Sequence, residues 1–135
     1  MIIESPYRFA SFASLKRGVV FIWNGYYYIK YSGKAAIYLS NGFPVSVEDN
    51  PSVFVVKKTF KSKSFGQGPM ISYDKLSVGR CFSLPPSEDL YLKIDNHIFV
   101  SSNKTVNLTG NILDIPCLNP HDLVCEEEVT LVCEH

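Results

Sequence analysis

Cys117-x3-His121-x3-Cys125, with Cys133 eight residues further on, holds the residue types of a zinc site. Zinc takes four ligands in a tetrahedron, and three thiolates with one imidazole are an accepted set. Structural sites pair their ligands two to four residues apart within a knuckle, and this chain has no Cys-x-x-Cys. Val124-Cys125 and Val132-Cys133 read equally well as strand residues, with Cys acting as a small apolar side chain. No metal and no cofactor are therefore expected. A nucleophile made of Cys117 or Cys125 with His121 lacks an orienting third group and an oxyanion loop. His97 lies in the apolar run Asn96-His97-Ile98-Phe99-Val100, His135 is terminal, and Glu126-Glu127-Glu128 with Asp122 reads as a solvated charge run. Gly66-Gln67-Gly68 is followed by neither a helix nor a lysine, so it is no phosphate loop. The chain is not expected to be an enzyme.

Binding is the better expectation. Trp23, Tyr26, Tyr27, Tyr28, Tyr31 and Tyr38 crowd one hairpin and its neighbour. By strand alternation Tyr26 and Tyr28 share one face, and Tyr27 and Tyr31 the other. Both faces of a small barrel cannot be core, so some of these rings should be exposed. Exposed tyrosines beside Lys30, Lys34, Lys57 and Lys58 suit nucleobases, nucleotides or a protein hot spot. The bland alternative is that tyrosines are good strand formers whose hydroxyls reach water at a barrel rim. The candidate binding set is Trp23, Tyr26, Tyr28, Tyr31, Lys30, Lys34, Lys57 and Lys58.

Composition bounds the scaffold that must hold these groups. The 135 residues are 46% hydrophobic, 19% charged and 13% aromatic, a globular composition with a formal net charge of zero. That balance excludes an overall polycation for nucleic acid. It hides an asymmetry, because residues 1–70 carry nine bases against three acids and residues 71–135 four against ten. The basic half can meet an anionic partner, or opposite halves can pair chains head to tail. No apolar run approaches the length of a membrane-spanning helix, so no membrane partner is expected. Met1-Ile2-Ile3-Glu4-Ser5-Pro6 lacks the basic n-region and long apolar core of a signal peptide. Cys81, Cys117, Cys125 and Cys133 are then expected as reduced thiols. On the same ground, the acceptor patterns at Asn103-Lys104-Thr105 and Asn107-Leu108-Thr109 are discounted.

The elements repeat. Phe12-Ala13-Ser14-Leu15-Lys16-Arg17-Gly18-Val19-Val20-Phe21 returns as Tyr73-Asp74-Lys75-Leu76-Ser77-Val78-Gly79-Arg80-Cys81-Phe82. Tyr28-Ile29-Lys30 returns as Tyr91-Leu92-Lys93, and Ile37-Tyr38-Leu39-Ser40 as Val106-Asn107-Leu108-Thr109. Three blocks in the same order point to internal duplication. The first copy reads as strands over 19–23, 26–31, 34–39, 43–47 and 53–59, with Asn24-Gly25 as a type I′ hairpin turn. The second reads as strands over 79–84, 90–94, 97–101, 105–108, 112–115 and 128–133, with 121–128 the one candidate for a helical turn. Recurrence marks Leu15, Phe21, Ile37 and Leu39, with Leu76, Phe82, Val106 and Leu108, as core. Sixty residues of short strands escape exposed edges by closing into a barrel. The expected fold is all-β, two tandem small SH3-like barrels from an internal duplication. The first spans residues 1–62, the linker 63–71 and the second, acidic unit 72–135.

Phe12-x-x-Leu15-Lys16-x-Gly18-x-x-Phe21-x-x-Asn24-Gly25-x-x-Tyr28-x-Lys30 resembles a pattern in small proteins of tailed bacteriophages, F-x-x-L-K-x-G-x-x-F-x-x-N-G-x-x-Y-x-K with a following N-L-x-x-G turn. Val106-Asn107-Leu108-Thr109-Gly110 is similar to that last element. The resemblance covers about two thirds of the chain, and the second copy lacks the Asn-Gly turn. It implies a viral origin and a small β scaffold, with Leu and Phe as core and Gly as turn, and it carries no catalytic residue. The expected function is a phage-encoded binding protein in the host cytoplasm. Its partner would be a host or viral protein or a small anionic ligand, in host takeover or anti-defence. The alternative is a virion component of head or tail.

Overall fold

A computed structural model of the chain describes residues 8–95 and 104–133. The expected strand over 97–101, the side chains of His97 and His135, Asn103 and the Met1–Pro6 segment lie outside the described residues. The first half runs β1 (Arg8–Ser11), a 3₁₀ turn (Phe12–Ser14), β2 (Val20–Trp23), β3 (Tyr26–Ser32), β4 (Ala35–Tyr38), β5 (Pro44–Ser46), β6 (Ser52–Val55) and β7 (Lys58–Ser62). The second runs β8 (Met70–Ser72), a 3₁₀ turn (Tyr73–Lys75), β9 (Cys81–Ser83), β10 (Leu90–Lys93), β11 (Thr105–Asn107), β12 (Leu123–Glu127) and β13 (Val129–Cys133). The fold is all-β. Asn24 and Gly25 join β2 to β3 with φ of 52° and 82°, the positive pair a type I′ turn requires.

One sheet has the order β1-β6-β2-β3-β4-β5, and the other, read in the same sense, β8-β12-β9-β10-β11. Among the described residues the order matches strand for strand, with β5 the one addition. Phe21 faces Val55 across β2 and β6, and Phe82 faces Glu126 across β9 and β12, which fixes the correspondence between halves. β7 and β13 leave their sheets and pair with each other, centred on Phe60 opposite Leu131.

The sheets do not close into barrels, which corrects the expected architecture. Closure was expected as the way to hide edges, but each sheet instead buries part of both faces. One face packs on its own 3₁₀ turn, around Phe12, Phe21 and Tyr28 in the first half and Tyr73, Phe82 and Tyr91 in the second. The other packs against the opposite sheet in a shared core that includes Val20, Ile29, Ile37, Leu92, Val106 and Leu108. Among the described residues the edge strands are short, and the β5 edge carries Pro44, which has no N–H to offer a neighbour. Of the eight recurring core positions all are buried except Leu39, which is half-buried.

Three local expectations also change. Residues 121–128 hold β12, because pairing with β8 and β9 on both sides overrides a weak helix signal. Residues 112–115 form a turn, held by Leu113 N–H to Asn111 Oδ1 (3.0 Å) and Asp114 N–H to Asn111 O (2.9 Å). Met70 and Ile71, expected in the linker, belong to strand β8, so the link between β7 and β8 shortens to 63–69.

Candidate functional site

The tyrosine–lysine set does not assemble into one surface. Tyr26 is exposed (54%) and Trp23 half-buried at the Asn24-Gly25 end of the hairpin. Tyr28 and Tyr31 are core residues on opposite faces of β3, 9% and 7% exposed. Lys34 is exposed beside the Gly33 turn at the far end of β3. Lys57 is exposed beyond Val56, whose N–H bonds Val20 O, so it sits at the opposite end of β2 from Tyr26. Lys58 is half-buried, its Nζ donating to Gly18 O at 2.7 Å and lying 4.9 Å from the Phe60 ring centroid. Burial pulls its pKa below the usual lysine range.

Lys30 is a structural cation. It shares the inward face of β3 with Tyr28, which aims it at the 3₁₀ turn, where Phe12 O accepts the Leu15 N–H and has a second lone pair to offer. Its Nζ donates to Phe12 O at 2.7 Å and Ala13 O at 3.5 Å, and lies 4.5 Å from the Phe12 ring centroid. Lys93 repeats the arrangement, donating to Tyr73 O and Leu76 O at 2.7 Å each, 4.5 Å from the Tyr73 ring centroid. The rings recur too: Phe12–Phe21 and Tyr73–Phe82 are edge-on at 5.5 and 5.6 Å, and Phe21–Tyr28 and Phe82–Tyr91 stack at 5.7 and 5.3 Å. Burial lowers both lysine pKa values, and at Lys93 repulsion from Lys104 adds to it while Asp74 opposes.

Glu127 is not part of a solvated run. It is buried, and its Oε1 accepts the Ser62 hydroxyl at 2.6 Å while Oε2 accepts the Ser83 hydroxyl at 2.7 Å and the Gly66 N–H at 2.9 Å. Burial alone would raise its pKa, but the bonds from Ser62, Gly66, Ser83 and Cys125 together outweigh that and hold the carboxyl below its usual range. The carboxylate thereby ties the link between halves onto the second sheet. Neighbouring Glu126 pairs with Arg80 at 2.6 Å.

The four thiols are scattered in environment. Cys117 is exposed, as is His121, whereas Cys125 is fully buried, its thiol donating to Gly68 O at 3.4 Å. Burial raises the Cys125 pKa and pushes the Cys81 thiol up to about 11. Among the described residues no three His, Cys, Asp or Glu side chains converge as metal ligands.

Two surfaces remain that the sequence reading missed. The first is a row across four strands, with Phe9 opposite Phe54, Phe54 opposite Ile22 and Ile22 opposite Tyr27. Directly opposed residues point to the same face, so the row is about 15 Å long. Phe9 is 64% exposed and Phe54 and Tyr27 38% each, with the Phe9 and Phe54 rings 3.8 Å apart. The matching row of the second sheet, Met70–Cys125–Ser83–Leu90, is covered at Cys125 and Ser83 by the segment that carries Ser62, Gly66 and Gly68.

The second surface is a cleft of about 490 Å³ between the Lys16-Arg17-Gly18 turn and residues 110–113, with Lys58 on its wall. At the matching Gly79 turn a cleft of about 550 Å³ is lined instead by Glu126, Glu127 and Glu128 with Lys63 and Arg80. A further pocket of about 820 Å³ beside Lys93 has Asp95 and Lys104, where the described residues stop, on its wall. No family model, curated protein or solved structure matches the chain.

Proposed function

We propose that the chain is a non-enzymatic binding protein, made by duplication of an open β unit where an SH3-like barrel was expected, and that it engages another protein through its first half. Shared strand order, the paired lysine caps and the repeated ring geometry support the duplication. The phage assignment rests on the motif alone, and with it a host-takeover or anti-defence role in the host cytoplasm. The observation that carries the binding reading is the aromatic exposure of the Phe9–Phe54–Ile22–Tyr27 row, whose counterpart in the second half is buried at Cys125 and Ser83. Aromatic residues in such a row supply contact area at low rotamer entropy, as binding hot spots do.

The test is affinity capture from infected cells with the wild-type chain and with a variant carrying Phe9→Ser and Phe54→Ser. Loss of one captured protein in the variant, at unchanged melting temperature, is the expected result. Retention of every captured species would remove the row as the binding surface. The second reading, a virion component, is favoured by the opposite charge of the two halves. It requires a fixed, high copy number in purified particles, which the first reading does not.

A further inference from the structure

Lys16, Arg17 and Lys58 bring three cations to one cleft, and among the described residues no carboxylate lines it. Val55, Val56 and Leu113 give the same cleft an apolar floor and wall. Its volume of about 490 Å³ falls within the range of small-molecule sites. Lys58 is already positioned: one N–H bonds Gly18 O, the stem is partly buried, and the ammonium has further N–H groups to donate. Lys16 and Arg17 are exposed at the rim.

The cations are not required by the scaffold. At the matching turn of the second half, Ser77 and Val78 stand where the first half has Lys16 and Arg17, and the backbone still turns at Gly79 with φ of +90° against +89° at Gly18. Val129 stands in place of Lys58, and Glu126 and Glu127 in place of Val55 and Val56. The shared turn and strand therefore line a cleft with cations in one half and with three carboxylates beside Lys63 and Arg80 in the other.

We propose that the first cleft binds a small organic phosphate of nucleotide size, with its phosphates at Lys16, Arg17 and Lys58 and its apolar part on Val55 and Leu113. Three cations match a multiply charged anion better than a monocarboxylate, and a planar guanidinium fits phosphate oxygens two at a time. This deepens the binding reading above and rests on it only for the absence of turnover, because the cleft and the aromatic row are separate surfaces.

The probe is a fluorescent N-methylanthraniloyl ADP, followed by anisotropy on the full chain at low and high salt. Saturable binding below about 1 mM is expected, weakened by about tenfold or more in Arg17→Glu and in Lys16→Glu and by high salt. Lys34→Glu, an exposed first-half lysine outside the cleft, should bind as wild type does. Unlabelled ADP should compete, inorganic phosphate more weakly, and adenosine not at all. No binding at about 1 mM, or equal affinity in Arg17→Glu, overturns the site. Tighter binding of a short single-stranded oligonucleotide through the same residues overturns the nucleotide-sized ligand in favour of nucleic acid. Failure here leaves the Phe9→Ser, Phe54→Ser capture result untouched, so the two readings fail separately.

Discussion

Replacing Lys93 with Met tests whether the motif lysine is a structural cap. Met keeps the length and apolar stem of the side chain and removes only the ammonium. Tyr73 O and Leu76 O then each lose a donor at 2.7 Å, and the Tyr73 ring loses its cation. A hydrogen bond to a charged group contributes about 1.5–3 kcal/mol, so two amount to about 3–6 kcal/mol gross. Against this, the buried ammonium carries a desolvation cost that the Met variant no longer bears. The net expected loss is about 2–3 kcal/mol for Lys93→Met. Lys30→Met removes one short bond to Phe12 O and a longer one to Ala13 O, so its loss should be smaller, about 1–2 kcal/mol. Urea melts give both values, read from the midpoint at unchanged slope. Amide exchange supplies a local readout: the Leu76 N–H bonds Tyr73 O and should exchange faster in the Lys93 variant. Equal stability of Lys93→Met and wild type, with Leu76 exchange unchanged, would refute the cap.

Glu127→Gln should cost about 2–3 kcal/mol at neutral pH, because an amide nitrogen cannot accept from Ser62, Gly66 or Ser83. The carboxyl is held below its unfolded value, so its contribution is present above about pH 4.3 and fades as pH falls through the folded value. Urea melts of wild type and variant should therefore converge in acid, and a constant gap down to pH 3 would show the carboxylate is not what matters. Phe21→Ala removes a fully buried ring touching both Phe12 and Tyr28 and should cost about 3–5 kcal/mol, as should Phe82→Ala. A surface-sized loss at either position would mean the two cores are misassigned.

The hairpin, its turn and the two small cores were legible because they rest on local signals. Asn24-Gly25 takes the positive φ pair its residue types permit, and recurrence picked out Phe21 and Phe82. Barrel closure was not legible, since it depends on what covers each sheet's second face, and that cover is the other half of the chain. The departure of β7 and β13 into a ladder of their own likewise depends on a partner about seventy residues away. Glu127 was hidden within Glu126-Glu127-Glu128, where only strand alternation separates a buried carboxylate from its two neighbours. The Phe9–Phe54 row joins strands far apart in sequence, and nothing local announces it.

The expected binding set scatters for a reason that follows from the repeat itself. Tyr28 and Lys30 belong to the recurring block, and a residue both halves keep is one both halves need for folding. Their counterparts Tyr91 and Lys93 are buried in the same way, against the same kind of turn. A function confined to one half must instead lie where the halves differ on a common frame. By that criterion Lys16, Arg17 and Lys58 stand against Ser77, Val78 and Val129, and the exposed Phe54 against the buried Cys125. Exchanging Lys16-Arg17 for Ser-Val, the pair the second half uses, should leave the urea midpoint nearly unchanged, since the Gly79 turn folds with that pair. If that exchange unfolded the chain, the two cations would be part of the scaffold, and the separation of folding residues from binding residues would fail at the cleft.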